Sequence, residues 1–197
     1  MTTPTKPRQL TYMERTARFP LTFDIVHDAT GKATVKVPIA WETGTLVRLG
    51  PYNTGKLTFS PRVHLHAAPV LSAFFETVKA AGMLADILTY DGGYVARLKR
   101  GVPSLPAGSS KDLWGKQLSN HSRGCAIDLN AKWNQMGKPG AAAGTEGSMH
   151  RIAEIARNVR VEVETPVGHI WPAGIVWGGD WKGAQLDAMH WEVGTFE

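Results

Sequence analysis

Two residues that can bind a metal ion or transfer a proton stand close together in Ser119–Asn130, SNHSRGCAIDLN. His121 and Asp128 are seven residues apart, and Gly124 lies between them ahead of a strand-like run. A glycine lets the backbone turn so that imidazole and carboxylate converge. The pair would then offer a metal one nitrogen and one oxygen. Taken alone, such a pair also occurs as a hydrogen-bonded structural pair, so the site needs further ligands.

A zinc site needs a third protein ligand, and a catalytic zinc leaves its fourth position to water. The best third ligand in the sequence is His190, in LDAMHWEV near the end of the chain. Asp187 precedes it by three residues and would place a carboxylate beside that water, where it could take a proton. A free aspartate has a pKa near 3.9, so we expect this base to depend on position more than on basicity.

Three other residues have metal-binding or nucleophilic side chains, and we expect structural or surface roles for them. His64 and His66, in VHLH, alternate like ligands on one strand face, but no third ligand is evident nearby. Cys125 is the only cysteine, which excludes an intramolecular disulfide. It is an odd number of positions from Asp128, so on a strand it points to the opposite face. We predict a buried structural role for it.

The elements that must position these residues are a mixture of strands and helices. The sequence predicts a β-hairpin over 21–41 with its turn at 28–31. It predicts a helix within 61–82 that stops at Gly82. A second helix presents the apolar face Met149, Ile152, Ala153 and Ala156.

The remaining segments are predicted to be irregular or extended. Residues 1–19 read as an irregular arm, and 102–118, rich in Pro, Gly and Ser, as a loop. GIVW and MHWEV read as strands. Because no regular βαβ alternation is present, we predict an α+β fold. It has a small, largely antiparallel sheet with helices packed on it, an N-terminal hairpin extension and a zinc site at the strand ends.

The 197 residues suit one compact unit, with an arm and hairpin extension over 1–60 and a catalytic domain over 61–197. No apolar run approaches the roughly 20 residues that span a bilayer, so no membrane span is expected. The net charge of +5 favours an anionic partner, either nucleic acid or a cell wall. Lysines and arginines are scattered, which argues against nucleic acid. A monomer is expected.

The order of residues in both segments follows a known pattern. SNHSRGCAIDLN matches S-x-H-x-x-G-x-A-x-D at every fixed position, and DAMHWE matches the pattern D/E-x-x-H. The chain thereby resembles, over roughly 64–193, the VanY-like zinc peptidases of bacterial cell-wall metabolism. These include D-alanyl-D-alanine carboxypeptidases and the L-alanoyl-D-glutamate endopeptidases of phage endolysins. The resemblance implies zinc bound by His121, Asp128 and His190, with Asp187 as the general base.

The resemblance also implies residues that contact substrate. Arg97, in YDGGYVARLKRG, stands where the family carries an arginine, with Arg100 as the alternative. Arg97 would donate to the scissile carbonyl oxygen or hold a substrate carboxylate. Ser119 would hydrogen-bond substrate. In WGGDW, Trp177 and Trp181 either line the substrate groove, as proposed for Trp181, or fill the core.

The resemblance therefore implies a zinc-dependent peptidase that hydrolyses the stem peptide of peptidoglycan. The start of the sequence has no export signal and WGGDW is endolysin-like, so we expect a phage or prophage enzyme. It would be made in the host cytoplasm and released to act on the wall. That setting favours L-alanoyl-D-glutamate endopeptidase over D-alanyl-D-alanine carboxypeptidase activity. The alternative is a non-catalytic wall-binding or virion module with the same fold, which the loss of a ligand or of the base would favour.

Overall fold

The computed structural model describes residues 6–103 and 105–196. Over these residues the α-helices are α1 (Tyr12–Arg18), α2 (Ile39–Thr45), α3 (Ala68–Ala80), α4 (Lys111–Gln117) and α5 (His150–Ala156). The strands are β1 (Asp24–His27), β2 (Ala33–Lys36), β3 (Leu46–Arg48), β4 (Tyr52–Asn53), β5 (Thr58–Phe59), β6 (Arg62–His64), β7 (Tyr90–Gly92), β8 (Ala126–Leu129), β9 (Arg160–Glu164), β10 (Ile170–Trp177) and β11 (His190–Thr195).

The main sheet has five strands in the spatial order β7-β8-β11-β10-β9, and every neighbouring pair is antiparallel. Smaller two-stranded sheets are formed by β1 with β2, β3 with β6 and β4 with β5. This architecture confirms the predicted α+β class and the antiparallel sheet. Strand β9, which the sequence analysis did not predict, forms one edge of the main sheet.

The pairing of β8 with β11 sets the geometry of the site. Asp128 lies opposite His190, and Ile127 lies opposite Trp191. Because side chains alternate along a strand, Asp128 and His190 share one face while Ile127 and Trp191 turn to the other. Trp191 is fully buried there, 5.1 Å from the ring of Phe74 on α3. Packing on the core face of the sheet thus fixes the register of β8 and β11, the two strands that carry Asp128 and His190.

Helix α3 packs an apolar face against strands β9 and β10 of the sheet. The buried residues along it are Val70, Leu71, Phe74, Phe75 and Val78. The predicted helix ends where expected, since Gly82 has a left-handed φ of +69°. It begins only at Ala68, with Pro69 in its first turn, because 62–64 pair as strand β6. Among the described residues no helix is long and apolar enough to cross a bilayer.

Two segments predicted to be irregular contain helices. Helix α1 lies within the N-terminal arm and begins with a capping box, in which Thr11 and Glu14 satisfy each other's backbone N–H groups. Helix α4 lies within 102–118 and is capped by Ser110, whose hydroxyl accepts from Leu113 N. Both departures have local signals, a Thr-x-x-Glu pattern and an N-terminal serine, which the polar composition of these segments obscured.

The N-terminal hairpin forms around the predicted turn, where Gly31 N donates to Asp28 O at 2.9 Å. Its strands β1 and β2 are shorter than predicted, and 39–41 belong to helix α2 instead. Its apolar face does not join the main core. Phe23 and Val35 pack instead with Trp114 and Leu118 in a separate cluster. The hairpin therefore buttresses α4 and the segment that leads into the His121 motif.

Candidate metal centre and active site

His121 lies on a 3-10 turn, Asn120–Arg123, immediately before β8. Ser119 caps this turn, and Gly124 ends it with a φ of +66°. A side chain at Gly124 would have its Cβ 2.6 Å from the backbone N of His64, which donates to Gly124 O at 2.9 Å. The position therefore requires glycine for its conformation and for the close approach of β6.

Three ligand atoms of the predicted residues converge. Asp128 Oδ1 lies 3.0 Å from His190 Nδ1 and 3.2 Å from His121 Nε2. The two imidazole nitrogens are themselves 3.2 Å apart. All three side chains are buried. These three form the metal-ligand group found among the described residues.

The partners of the other ring nitrogens assign both tautomers. The Nδ1–H of His121 donates to the carbonyl oxygen of Gly93 at 2.7 Å. The Nε2–H of His190 donates to Glu192 Oε2 at 3.1 Å. These bonds leave His121 Nε2 and His190 Nδ1 as the atoms that would be free of a proton when a metal ion is bound.

The arrangement fits a metal ion. Two imidazole nitrogens and a carboxylate oxygen meet at 3.0–3.2 Å, and such electron-rich atoms repel one another unless a positive charge, either a proton or a metal ion, lies between them. Tetrahedral zinc with bonds of about 2.0–2.1 Å would separate its ligand atoms by about 3.3 Å. A set of two nitrogens and one oxygen is also one that zinc accepts.

The pKa shifts of His190 and Asp128 arise from the close contacts within the triad. Burial disfavours the charged form of His190, but hydrogen bonds to Asp128 and Glu192 outweigh it and raise the pKa to about 10. Burial also disfavours ionised Asp128, yet hydrogen bonds from His121 and His190 hold its pKa below the ordinary value. In the metal-free protein a proton thus takes the place of a cation, so proton and metal compete for the site.

The triad opens into a cavity of about 490 Å³. The structure brings all seven predicted site residues to its wall. They are Arg97, Ser119, His121, Asp128, Trp181, Asp187 and His190. Arg100, the alternative to Arg97, also lines the cavity. Arg97 is half-buried and Arg100 is exposed, so the Arg97 side chain has fewer conformations open to it.

Asp187 is fixed by its backbone and leaves its carboxylate free for chemistry. Its N–H donates to Gly178 O at 3.0 Å, and its carbonyl accepts from His190 N at 2.9 Å. Its Oδ1 is buried without a hydrogen-bond partner among the described residues. Burial raises the pKa of Asp187 to about 6. The Asp187 carboxylate is thus more basic than a free aspartate. Its suitability as a base comes from desolvation as well as from the position that the sequence predicted.

The raised pKa predicts a pH-dependent penalty in the metal-free protein. A carboxyl group whose pKa is higher in the folded state contributes stability that is full below its unfolded value, near 3.9, and is lost as pH rises through 6. We expect Asp187→Asn to gain stability relative to wild type between pH 4.5 and 7.5. Denaturant unfolding of both proteins with a chelator measures it, and a pH-independent difference would contradict it.

The tryptophans of WGGDW divide between the two predicted roles. Trp181 lines the cavity, with its ring 5.4 Å from that of His190. Trp177 is buried, stacks at 5.8 Å on Trp191 and donates from Nε1 to Ala188 O at 2.8 Å. Trp181 therefore lies on the cavity wall, where its contact with substrate stays a prediction, whereas Trp177 belongs to the core.

Ser119 has a structural contact as well as a place on the cavity wall. Its hydroxyl oxygen accepts from His121 N at 3.4 Å, and its own N–H donates to Arg97 O at 3.1 Å. The serine thus links the backbones of two predicted site residues. Its hydrogen bond to substrate stays a prediction.

Of the three residues set aside as ligands, His64 and Cys125 are buried, and His66 is partly exposed. His64 is 1% exposed, its Nδ1 accepts from His66 N at 3.1 Å, and burial above all lowers its pKa to about 3. Cys125 lies in the core with Ile127, and burial raises the pKa of its thiol to about 12. Both side chains therefore lie in the core, outside the metal-ligand group, as a structural role would require.

Two residues at the site were missed by the sequence analysis. Gln9 and Arg15, from the segment described there as an irregular arm, line the cavity and lie against Glu192. Glu192 itself is detectable in sequence, since a strand places it on the same face as His190. No sequence spacing connects Gln9 with Glu192, because they are 183 positions apart.

Residues 114–193 match the family described as D-alanyl-D-alanine carboxypeptidase. The match contains the triad and Asp187, and Arg97 lies before its start. Comparisons with curated proteins and with solved structures gave no match.

Proposed function

We propose that this protein is a metallopeptidase that uses zinc to hydrolyse the stem peptide of bacterial peptidoglycan, a proposal that the match of residues 114–193 to the D-alanyl-D-alanine carboxypeptidase family supports. The observation that carries the proposal is the convergence of three ligand atoms beside a buried, unpartnered carboxylate. The triad atoms lie 3.0–3.2 Å apart, and Asp187 shares their cavity. A purely structural His/Asp pair would not need the third ligand or the free carboxylate.

The residues of the chain divide the chemistry between them. His121, Asp128 and His190 would hold zinc, which supplies Lewis-acid activation of water and of the scissile carbonyl. Asp187 would take the proton of the attacking water and pass it to the leaving amine. Arg97 would donate to the carbonyl oxygen as negative charge develops on it.

The shape of the surface near the triad supports cleavage within a peptide. A second hollow of about 750 Å³ adjoins the first, and both are lined by Asp128, Arg100, Met136 and Met189. A substrate could therefore extend to both sides of Asp128. A carboxypeptidase needs room for one residue beyond the scissile bond, whereas an endopeptidase needs room for several. We accordingly propose L-alanoyl-D-glutamate endopeptidase activity.

A second candidate is D-alanyl-D-alanine carboxypeptidase activity, which the description of the matched family favours. Both reactions require the same triad, base and arginine. The two activities differ in which peptide bond of the substrate lies at the metal site. The products of digestion therefore distinguish them.

Digestion of purified peptidoglycan tests the proposal. We expect new amino termini on D-glutamate and new carboxyl termini on L-alanine, identified by terminal labelling and mass spectrometry. Release of D-alanine alone would reject the endopeptidase in favour of the carboxypeptidase. Binding to the wall without release of any amine would favour the non-catalytic module.

The setting that we propose is a phage or prophage lysis enzyme, made in the host cytoplasm and released to reach the wall. The net charge of +5 supports this, since a basic surface is attracted to an anionic wall. The exposed side of the cavity, with Trp181 and Arg100, would then face the polymer.

A further inference from the structure

Glu192 is a buried carboxylate directly behind the metal centre. It is 1% exposed and lies two residues after His190 on β11. Its Oε2 accepts from His190 Nε2–H at 3.1 Å and from the side-chain amide of Asn120. A buried carboxylate is costly unless both of its oxygens have partners. The partners of Oε1 therefore help to fix the orientation of the Glu192 carboxylate, whose Oε2 contacts the metal ligand His190.

The partners of Oε1 come from the N-terminal segment 6–19. Gln9 Nε2 donates to Glu192 Oε1 at 3.1 Å. Arg15 Nη2 lies 3.7 Å from the same oxygen and donates to Leu10 O at 2.8 Å. The Arg15 side chain is 12% exposed, so its charge acts on Glu192 with little screening by water.

The sheet brings this segment to Glu192. Strand β8 pairs with β11 from His190 to Glu192, and further along β11 Arg8 takes the position beside Thr195. Arg8 N donates to Thr195 O at 2.8 Å, and Thr195 N donates to Arg8 O at 3.0 Å. This short antiparallel bridge aligns the next residue, Gln9, with Glu192.

The His121 motif holds the same segment from its other end. Arg123, in the turn that carries His121, is 3% exposed. Its Nη1 donates to Phe19 O at 2.8 Å and its Nη2 to Thr16 Oγ1 at 3.2 Å. Phe19 is fully buried. Both ends of 6–19 are thus attached to the elements that carry the triad.

We propose that Gln9 and Arg15 are positioning residues of the metal centre, a proposal that rests on the metal site of the proposed function. They hold Glu192 with Oε2 toward His190 Nε2–H, which fixes the imidazole tautomer and leaves Nδ1 for the metal. Loss of an outer partner of this kind typically lowers metal affinity 10- to 100-fold. The segment that the sequence presented as an arm is therefore part of the metal centre.

The test measures the affinity of the full-length protein for Zn²⁺ by chelator competition in wild type, Gln9→Ala and Arg15→Ala. We expect about 10- to 100-fold weaker binding in both variants, with Arg15→Lys closer to wild type because it keeps the charge. Gln185→Ala is the matched control, since Gln185 lines the same cavity from the turn before Asp187. It should bind zinc as wild type does.

A double-mutant cycle separates positioning from a general effect on folding. In a Glu192→Gln background we expect Gln9→Ala to weaken zinc binding much less than in wild type, since it acts through the Glu192 carboxylate. The visible spectrum of the Co²⁺ protein should shift in Gln9→Ala and be unchanged in Gln185→Ala. Melting of the metal-free proteins identifies any variant that is simply unfolded.

The inference is overturned if Gln9→Ala and Arg15→Ala bind zinc within threefold of wild type. It is equally overturned if the loss of affinity is the same with Glu192→Gln as without it. A wild type that binds zinc but releases nothing from peptidoglycan contradicts the proposed function alone, because the affinity comparison needs no turnover.

Discussion

His121→Ala is expected to remove the metal and the hydrolytic activity together. The substitution leaves Asp128 and His190 as a two-ligand site, and stable catalytic zinc requires three protein ligands. Without the metal, water keeps its ordinary pKa, so we expect turnover to fall by a factor on the order of 10³ or more. Elemental analysis should give about one zinc per wild-type chain and background levels in the variant.

Each sample would also be assayed for lysis of purified cell walls. His169→Ala is the matched control, because His169 lies in an exposed turn before β10. It should keep both zinc and lysis. Full zinc content in His121→Ala would show that the triad is misassigned. A wild type that is metal-free and inactive even with added zinc would instead favour the wall-binding module.

Asp187→Asn is expected to separate metal binding from catalysis. Asparagine matches aspartate in size but cannot accept the proton of the attacking water, so turnover should fall by about 10²–10⁴-fold. Zinc content should stay at the wild-type level, because Asp187 is outside the ligand triad. Elemental analysis beside the release of new amine groups from peptidoglycan measures both quantities.

Asp180→Asn provides the control for this loss. Asp180 lies in the same loop but its carboxylate pairs with Arg157 at 3.1 Å, away from the triad. We expect it to retain wild-type turnover. If Asp187→Asn keeps activity within tenfold of wild type, another group must carry the proton.

Both predictions concern residues that could be identified from the sequence alone. His121, Gly124 and Asp128 lie within a single turn and strand, and local rules for strands and glycine turns act over that distance. Asp187 is only three residues before His190, so it was likewise expected to lie near the site. Residue types and spacing therefore identified candidate ligands and a candidate base, and the resemblance to the VanY-like family favoured a metal site over a structural pair.

The helices show where local patterns were sufficient and where they were obscured. The apolar periodicity of α3 and the stop at Gly82 predicted that helix, because burial of one face repeats every 3.6 residues. Helices α1 and α4 are short, and their polar composition resembles that of loops. Only contacts with the rest of the protein stabilise segments of that length.

What the sequence determined by itself is the chemistry: two imidazoles and two carboxylates in motifs that local backbone geometry can aim. What the tertiary structure alone decided is their assembly. The pairing of β8 with β11 placed Asp128 opposite His190, and the bridge from Arg8 to Thr195 brought Gln9 to Glu192. Strand partners far apart in sequence are chosen by burial of the whole sheet, so no spacing along the chain reveals them.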